Sequence, residues 1–226
     1  MPLMRGAIPS PRAKLAGATP FALPPVAVPS SFIVIPKLQM WGNDVNGDCV
    51  TAEEAFAKSY SGVLVSDADV IAWATARDFL NGAMLSDVLE RMETDGFPSA
   101  GKTYDDGTHK SVDWTNDVLL RAAIAQGPVK IGIAADQVEA VYNGKNGWFL
   151  TGAKADPNED HCVSLTGFGA LGYLAAQLGV TVPPSVNASA MGYALFTWCT
   201  IGIIDVPSML AITAEAWLRT PTTVIK

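Results

Sequence analysis

Apolar and polar positions divide the chain into a helical first half and a strand-rich second half. Helix formers and capping residues between about Trp41 and Glu93 predict three helices: Val50–Tyr60, Ser66 or Asp67 to about Leu80, and Ser86–Glu93. Gly96–Asp113 is rich in turn residues. Asn116 is predicted to cap a fourth helix, Asp117–Ala125, which Gly127-Pro128 ends.

Beyond Pro128 the pattern changes to short apolar runs, which are typical of buried strands. Strands are predicted over Val129–Ala134, Cys162–Phe168 and Tyr193–Ile204, with hairpin turns at Asn143-Gly144 and Asn146-Gly147 and a late helix at Ser208–Leu218. Helices followed by strands predict an α+β fold. We expect two lobes with a cleft between them, a helical lobe at about 41–118 and a β-rich lobe at about 119–226.

Residues 1–36 form a separate region, which we interpret as an N-terminal arm preceding a domain at 37–226. Proline fixes φ and removes a backbone donor, so Pro20–Pro36 is predicted to be extended and to be held only by docking on another surface. The arm has no continuous apolar core and does not resemble a secretory signal.

Composition narrows the classes of partner. Hydrophobic residues make up 49% and charged residues 16%, which predicts a large core or an assembly surface rather than disorder. A net charge of -7 disfavours nucleic acid and anionic membranes as partners. Cys162–Ile204 has no charged residue, but glycines and prolines interrupt it, so no membrane span is predicted.

The three cysteines, Cys49, Cys162 and Cys199, are too few and too scattered for a disulfide framework or a zinc pair. We therefore expect a reducing location, cytoplasmic or within a virion, and neither a metal nor a cofactor. Cys162 and Cys199 are predicted to pack in the core on apolar strands, and His109 is expected to be exposed and inert.

Two motifs match known patterns only in part. Gly96–Thr103 has the letters of a phosphate-binding loop, but a helical stretch precedes it and a turn with two carboxylates, Tyr104–Gly107, follows it. Asp44–Asp48 resembles the start of a calcium loop, but Cys49 replaces the turn glycine and Ala55 the closing carboxylate. We interpret the first as a surface loop and the second as a polar turn before a helix.

Cys49 directly precedes a predicted helix. A thiol at a helix N-terminus lies at the positive end of the helix dipole, which increases the fraction of thiolate. By itself a cysteine at this position is more often a small buried residue than a nucleophile.

Four segments of the second half form an ordered set of motifs. They are Leu120–Ile133, a helix stopped at Gly-Pro before a strand; Val141–Gly144 with Gly147–Phe149, a tyrosine-glycine hairpin; Asp160–Gly169, an Asp-His strand; and Tyr193–Trp198, a strand ending in tryptophan. In this order they resemble the papain family. The order and spacing of these segments agree from about Trp41 to Trp198. The resemblance implies a papain-like, two-lobed α+β fold.

The resemblance also implies roles for particular residues. Cys49 is the implied nucleophile and His161 the implied base, acting on a peptide or protein substrate through a thioester. Asn43, six residues before Cys49, stands where the family has an oxyanion-stabilising glutamine; the alternative is that it only orders its turn.

Departures from the family surround the group that orients the histidine. Phe196 replaces the family's asparagine, and Thr197 would accept a hydrogen bond from the imidazole after a one-residue shift. Asp205 is a more distant candidate for the same role, and Asp160 is expected to point to solvent. The turn Gly42-Asn-Asp-x-x-Gly-Asp-Cys49 is similar to a divergent branch found in phage and bacterial genomes.

Two functions stay open from the sequence. The first is an active cysteine hydrolase that cleaves peptide or other amide bonds. The second is a catalytically weak or inactive papain-like scaffold with a structural or binding role, such as a phage virion component that forms homo-oligomers or assembles through its arm.

Overall fold

The computed structural model describes residues 3–24 and 27–226. Helices and strands alternate irregularly, as in an α+β protein. The helices are α1 (Arg12–Gly17), α2 (Cys49–Tyr60), α3 (Asp67–Thr75), α4 (Leu85–Asp95), α5 (Asp117–Ile124), α6 (Asp136–Val141), α7 (Leu171–Gln177) and α8 (Val206–Ile212). The strands are β1 (Ala7–Ile8), β2 (Phe32–Ile33), β3 (Ala83–Met84), β4 (Phe97–Ser99), β5 (Lys102–Asp105), β6 (Thr108–Ser111), β7 (Val129–Ile133), β8 (Phe149–Leu150), β9 (His161–Ala170), β10 (Met191–Thr197), β11 (Thr200–Asp205), β12 (Thr213–Thr220) and β13 (Val224–Ile225).

The main sheet has the strand order β6-β12-β7-β9-β10-β11-β8, and β2 pairs with β9. All neighbouring strands in it are antiparallel except β8 and β11. A two-stranded parallel sheet joins β1 to β3, and a three-stranded sheet has the order β13-β5-β4. Strand β9 lies at the centre of the main sheet, and its first residue is His161.

Helix α2 packs against β9, and every residue from Cys49 to Ser59 is buried. Small alanines allow this close approach, but the helix also buries Glu53, Glu54 and Lys58. Buried charges are tolerated when they are paired. Lys130 of β7 and Arg219 of β12 pair with the two glutamates, and Asp106 pairs with Lys58.

Most predicted elements are present with small boundary shifts. Ser66 accepts a hydrogen bond from Asp69 N at the start of α3, and Asn116 accepts one from Leu119 N at the start of α5. The second predicted helix ends at Thr75 rather than near Leu80. Tyr193–Ile204 forms two strands, β10 and β11, joined by a tight turn at Trp198-Cys199.

The prediction that Gly96–Asp113 consists of turns was wrong. This stretch contains β4, β5 and β6, which pair with each other or with the C-terminal strands β12 and β13. These strands are short and mostly polar, so they lack the apolar alternation that identifies a strand in sequence. Strands β5 and β6 pair with strands more than a hundred residues away in the chain.

Two predictions in the second half were also wrong. Asn143-Gly144 and Asn146-Gly147 do not connect two strands: they follow α6, which was not predicted, and precede β8. The late helix α8 ends at Ile212, and the rest of the predicted helix, from Thr213, is strand β12. In the main sheet β12 lies between β6 and β7, and its backbone hydrogen bonds to both strands outweigh the helical propensity of its sequence.

The described part of the arm is docked on its own chain and is not extended throughout. It contains the helix α1 as well as β1 and β2. The extended conformation predicted for Pro20–Pro36 agrees with β2, whereas Met1-Pro2 and Pro25-Val26 lie outside the described residues. In residues 3–24 and 27–226, no helix has the length and apolar character needed to cross a membrane.

Candidate active site

Cys49 is the first residue of α2 and is 2% exposed. The N–H groups in the first turn of a helix have no acceptor within the helix, so its positive end faces this position. Backbone groups of Cys162 and Gly6 lie next to the Cys49 thiol. Cys162 follows His161 on β9, so the thiol lies against the start of the strand that carries the histidine.

The His161 ring is held by the end of β10 and the turn after it. Its Nε2 lies 2.7 Å from Thr197 Oγ1, and its face stacks on Trp198 with ring centroids 4.2 Å apart. Trp198 and Cys199 have φ values of 40° and 61°, a left-handed turn that is costly for residues other than glycine. Tyr142 Oη donates to Trp198 O at 2.8 Å and supports this turn.

His161 Nδ1 is buried and has no hydrogen-bond partner in the described structure. One imidazole nitrogen is therefore occupied by Thr197, and the other is left without a partner. In a protein interior such an atom is uncommon, because an unpaired polar atom loses its hydration without compensation.

Phe196 points away from the histidine into the core. Its ring stacks on Phe56 of α2, with centroids 4.0 Å apart and an interplanar angle of 8°, and meets Trp41 edge-on. Successive side chains of a strand point to opposite faces, so Thr197 rather than Phe196 faces His161. This is the one-residue shift considered from the sequence.

Asn43 is 3% exposed and lies in the turn before α2. Its Nδ2 donates to Asn46 O at 3.1 Å, and Asn46 Nδ2 donates to Gly42 O at 3.2 Å. The side chain therefore orders the turn. An amide nitrogen has two hydrogens, so this bond leaves one of them for another acceptor.

The arm passes through the cleft over Cys49. Gly6 N and Ala7 N both donate to Asp160 O at 3.1 Å, on the β-rich side, and Ala83 N of β3 donates to Gly6 O at 2.8 Å, on the helical side. Trp198 Nε1 donates to Met4 O at 2.9 Å. The backbone of residues 4–7, which we call the cleft segment, thus bridges both walls and covers the thiol and the imidazole.

Burial determines the protonation of both groups. Loss of solvation raises the pKa of Cys49 to about 12. Loss of solvation, with a smaller contribution from the positive charge of Arg5, lowers the pKa of His161 to about 3. At neutral pH the pair is therefore a neutral thiol and a neutral imidazole.

Several other predicted candidates lie elsewhere. Asp205 accepts a hydrogen bond from Ser208 N and caps α8. Asp160 is partly exposed, and its carboxylate also binds Arg5 and Ala135 N. His109 is not free either: its Nδ1 lies 2.6 Å from Glu93 Oε1.

Of the two remaining cysteines, Cys162 is buried in the core, whereas Cys199 lies in the partly exposed turn and not on a strand. Gly96–Thr103 forms a strand, a turn at Ala100-Gly101 and a second strand, without the following helix that a phosphate-binding loop requires. Across residues 3–24 and 27–226, no cluster of three or more His, Cys, Asp and Glu side chains is arranged to hold a metal ion.

Sequence reasoning missed the residues that line the cleft from the arm and from α6. Arg5 of the arm binds Asp136 and Glu139 of α6 as well as Asp160. An arginine beside a glycine in a proline-rich segment is the only sequence signal, and it does not identify the partner surface. The contact depends on how the arm docks.

No protein-family model and no curated protein sequence matches the chain. Solved structures do match it. The proform of the ragweed pollen cysteine protease Amb a 11 superposes with a TM-score of 0.62 at 13% identity, covering 92% of this chain and 73% of that one. For a procathepsin L2 from Tenebrio molitor larval midgut the TM-score is 0.57 at 16% identity, with coverages of 95% and 74%. The Carica candamarcensis cysteine protease CMS1MS2, in complex with E-64, has a TM-score of 0.57 at 16% identity, with coverages of 85% and 99%.

Proposed function

Because the chain has the fold of the papain-like cysteine peptidases, we propose that it is a cysteine hydrolase acting on peptide bonds or other amide bonds. Cys49 is the nucleophile and His161 the base. The observation that carries the proposal is the state of His161: Thr197 occupies Nε2 and Nδ1 is left without a partner, while the thiol at the start of α2 lies next to Cys162, the following residue of β9.

The mechanism follows from these positions. Thr197 Oγ1 accepts a hydrogen bond from Nε2–H, so in this tautomer Nδ1 has a free lone pair and takes the proton from the Cys49 thiol. The thiolate sulfur attacks the substrate carbonyl carbon. His161 returns the proton to the leaving amine as the carbon–nitrogen bond breaks, and water hydrolyses the resulting thioester, which restores the thiol.

The tetrahedral intermediate places a negative charge on the carbonyl oxygen. The backbone N–H of Cys49, in the first turn of α2, is one donor, and the second hydrogen of the Asn43 amide is the other. Asn43 then has two roles, since its first hydrogen orders the turn through Asn46 O.

The reaction requires the cleft segment to leave. While it covers the site, the thiol has a pKa near 12 and its thiolate fraction at neutral pH is negligible. Displacement hydrates both groups and removes the Arg5 charge, which favours the thiolate–imidazolium pair. The described chain is thus a latent form of the hydrolase.

Alkylation of cysteine tests this proposal. The full chain and its Arg5→Ala variant are treated with iodoacetamide near neutral pH, and labelled peptides are quantified by mass spectrometry, with Cys199 as the internal reference thiol. We expect Cys49 in Arg5→Ala to label faster than Cys199, and this excess to disappear in Arg5→Ala/His161→Ala. Cys49 labelling no faster than an ordinary free thiol in every form would refute the hydrolase.

One observation favours a second candidate, a scaffold without catalysis. Both Cys49 and His161 are buried and neutral at neutral pH. A hydrolase must expose and ionise these groups, whereas a binding protein functions without doing so. Here the arm stabilises the fold by joining the two walls of the cleft. This candidate predicts that Cys49 stays unreactive even when the arm is loosened, and that peptide turnover is absent; assembly into a virion through the arm would appear as oligomers in size-exclusion chromatography.

A further inference from the structure

The Arg5 guanidinium lies among three partly exposed carboxylates, which we call the carboxylate pocket, near the candidate catalytic pair. Arg5 Nη1 lies 2.5 Å from Asp136 Oδ1 and 2.6 Å from Asp160 Oδ2, and its Nη2 binds Glu139. Two of these carboxylates begin α6, and the third precedes His161. Two nitrogens of one planar group therefore join two elements, which a lysine ammonium, a single point of charge, does not reproduce.

The next residue, Gly6, occupies a position that has no room for a side chain. A Cβ added there would lie 1.7 Å from the carbonyl oxygen of Gly47, in the turn that precedes Cys49. The two glycines face each other, since a Cβ on Gly47 would lie 2.7 Å from Arg5 O. The wall is backbone, so it does not yield as a flexible side chain would.

The same segment meets the reacting groups through its backbone. The backbone of Gly6 lies next to the Cys49 thiol, and Asp160 O accepts hydrogen bonds from both Gly6 N and Ala7 N. These are contacts that any extended peptide makes irrespective of its sequence. Any preference for a particular peptide sequence therefore comes from the two features that depend on the peptide's side chains, the carboxylate pocket and the glycine constriction.

Resting on the proposed function, we propose that this cleft is a binding site for extended peptides that contain arginine followed by glycine, and that the cleft segment is the internal occupant of that site. Asp136, Glu139 and Asp160 recognise the arginine. Gly47 O excludes any larger residue at the glycine position. The substrate class of the hydrolase is accordingly a protein with an exposed Arg-Gly segment, which competes with Arg5-Gly6 of the chain itself.

Binding is measured apart from turnover. The full chain carrying Cys49→Ala and Arg5→Ala, with no nucleophile and a weakened internal occupant, is titrated into a fluorescein-labelled peptide of sequence LMRGAIP, which reproduces residues 3–9. Two control peptides differ by one residue, lysine for the arginine or alanine for the glycine. We expect each control to bind at least about tenfold more weakly, as loss of a charge-assisted hydrogen bond or a backbone clash implies.

Removing the pocket supplies the matching control on the protein. Glu139→Gln and Asp136→Asn, added together, should abolish the preference for arginine over lysine while the glycine preference stays. Equal binding of the three peptides within about twofold, or binding of none of them, would overturn the proposal.

A measurement on the chain without substitutions tests the same proposal even if the variants fail to fold. Hydrogen exchange of residues 4–9 is followed with a large excess of each peptide. Faster exchange with the arginine-glycine peptide alone supports competition for the site, and an equal rate with all three contradicts it. Selective binding without hydrolysis by the Cys49-containing chain would contradict the proposed hydrolase and support the binding site. Hydrolysis without selectivity for the arginine-glycine peptide would support the hydrolase and contradict the binding site.

Discussion

At the scale of single residues, the candidate site depends on which side chain of β10 faces His161. Thr197 hydrogen-bonds the imidazole, and the strained turn at Trp198 places an aromatic ring against its face. A threonine hydroxyl orients the ring as an amide would, but with one donor and a shorter reach. Thr197 thus supplies the hydrogen bond to the imidazole for which the family resemblance implied an asparagine.

Thr197 tests this positioning directly. In a chain with a loosened arm (Arg5→Ala), Thr197→Val should lower the rate of Cys49 alkylation up to about tenfold, because it removes one hydrogen bond that selects the Nε2–H tautomer. Thr197→Ser keeps the hydroxyl and should retain the rate. The pH profile of alkylation is the discriminating readout: a profile that is the same for Val and Ser would mean that Thr197 only packs.

His161 also predicts how stability depends on pH. Its pKa is lowered in the folded state to about 3 from an ordinary 6.5, so below pH 6.5 the unfolded chain binds a proton that the native state does not. The free energy of unfolding should therefore decrease as pH falls from 6.5 towards 3, by at most about 1.4 kcal/mol per pH unit from this group.

Urea unfolding at several pH values measures that dependence. The His161→Gln variant lacks the titrating group, so its unfolding free energy should fall less steeply over the same window. Parallel pH dependences for the two chains would show that burial does not depress the histidine pKa.

At the scale of elements, the arm and the turn before α2 control access to the thiol. Strand β1 pairs in parallel with β3 while its backbone also bonds to Asp160. The segment is therefore held by main-chain hydrogen bonds on both sides, with Gly6 at the narrowest point. Position 6 accommodates only glycine, because even a single methyl group would clash with Gly47 O.

Gly6→Ala should release the arm. The added Cβ would meet Gly47 O at 1.7 Å, so the segment must move away from the thiol. Overpacking of this kind costs on the order of 1–3 kcal/mol, and we expect Cys49 alkylation to rise roughly tenfold or more. Gly17→Ala, in α1 with no atom within 4 Å of the new Cβ, is the matched control and should leave the rate unchanged.

At the scale of the whole molecule, a buried ionic cluster joins α2 to the main sheet. Lys130 Nζ donates to Val50 O at 2.8 Å and lies 3.1 Å from Glu53 Oε2, and Arg219 Nη2 lies 2.6 Å from Glu53 Oε1. Helix α2 carries Cys49 and β9 carries His161, so the relative position of the two groups depends on this connection. The cluster is a structural feature rather than a second site.

Removal of one cation from the cluster should be strongly destabilising. Lys130→Met leaves Glu53 and Glu54 short of a buried positive partner, which costs about 3–5 kcal/mol of unfolding free energy. Lys145→Met, at an exposed position, is the control and should change stability by less than about 0.5 kcal/mol. Urea denaturation of the three chains checks this, and equal losses in both variants would contradict it.

Local sequence signals were sufficient for the elements that carry the two central residues. The caps at Ser66 and Asn116, the helix beginning at Cys49 and the apolar run after His161 all depend on neighbours within a few positions, so the α+β class followed from them. The short strands β5, β6 and β13 were missed for the opposite reason: pairing with distant segments, and not their own pattern, makes them strands.

The sequence by itself determined the α+β class, because periodicity and capping are encoded locally. Its resemblance to the papain family, carried by short segments in order, implied the papain-like fold and the positions of Cys49, His161 and Thr197 at or beside the predicted elements. Only the tertiary structure decided that Thr197 rather than Phe196 contacts the imidazole, since one residue of register reverses the face of a strand. It alone also decided that Arg5 and Gly6 fill the cleft. That contact arises between segments far apart in the chain, where burial, charge pairing and a backbone clash act together and leave no local pattern.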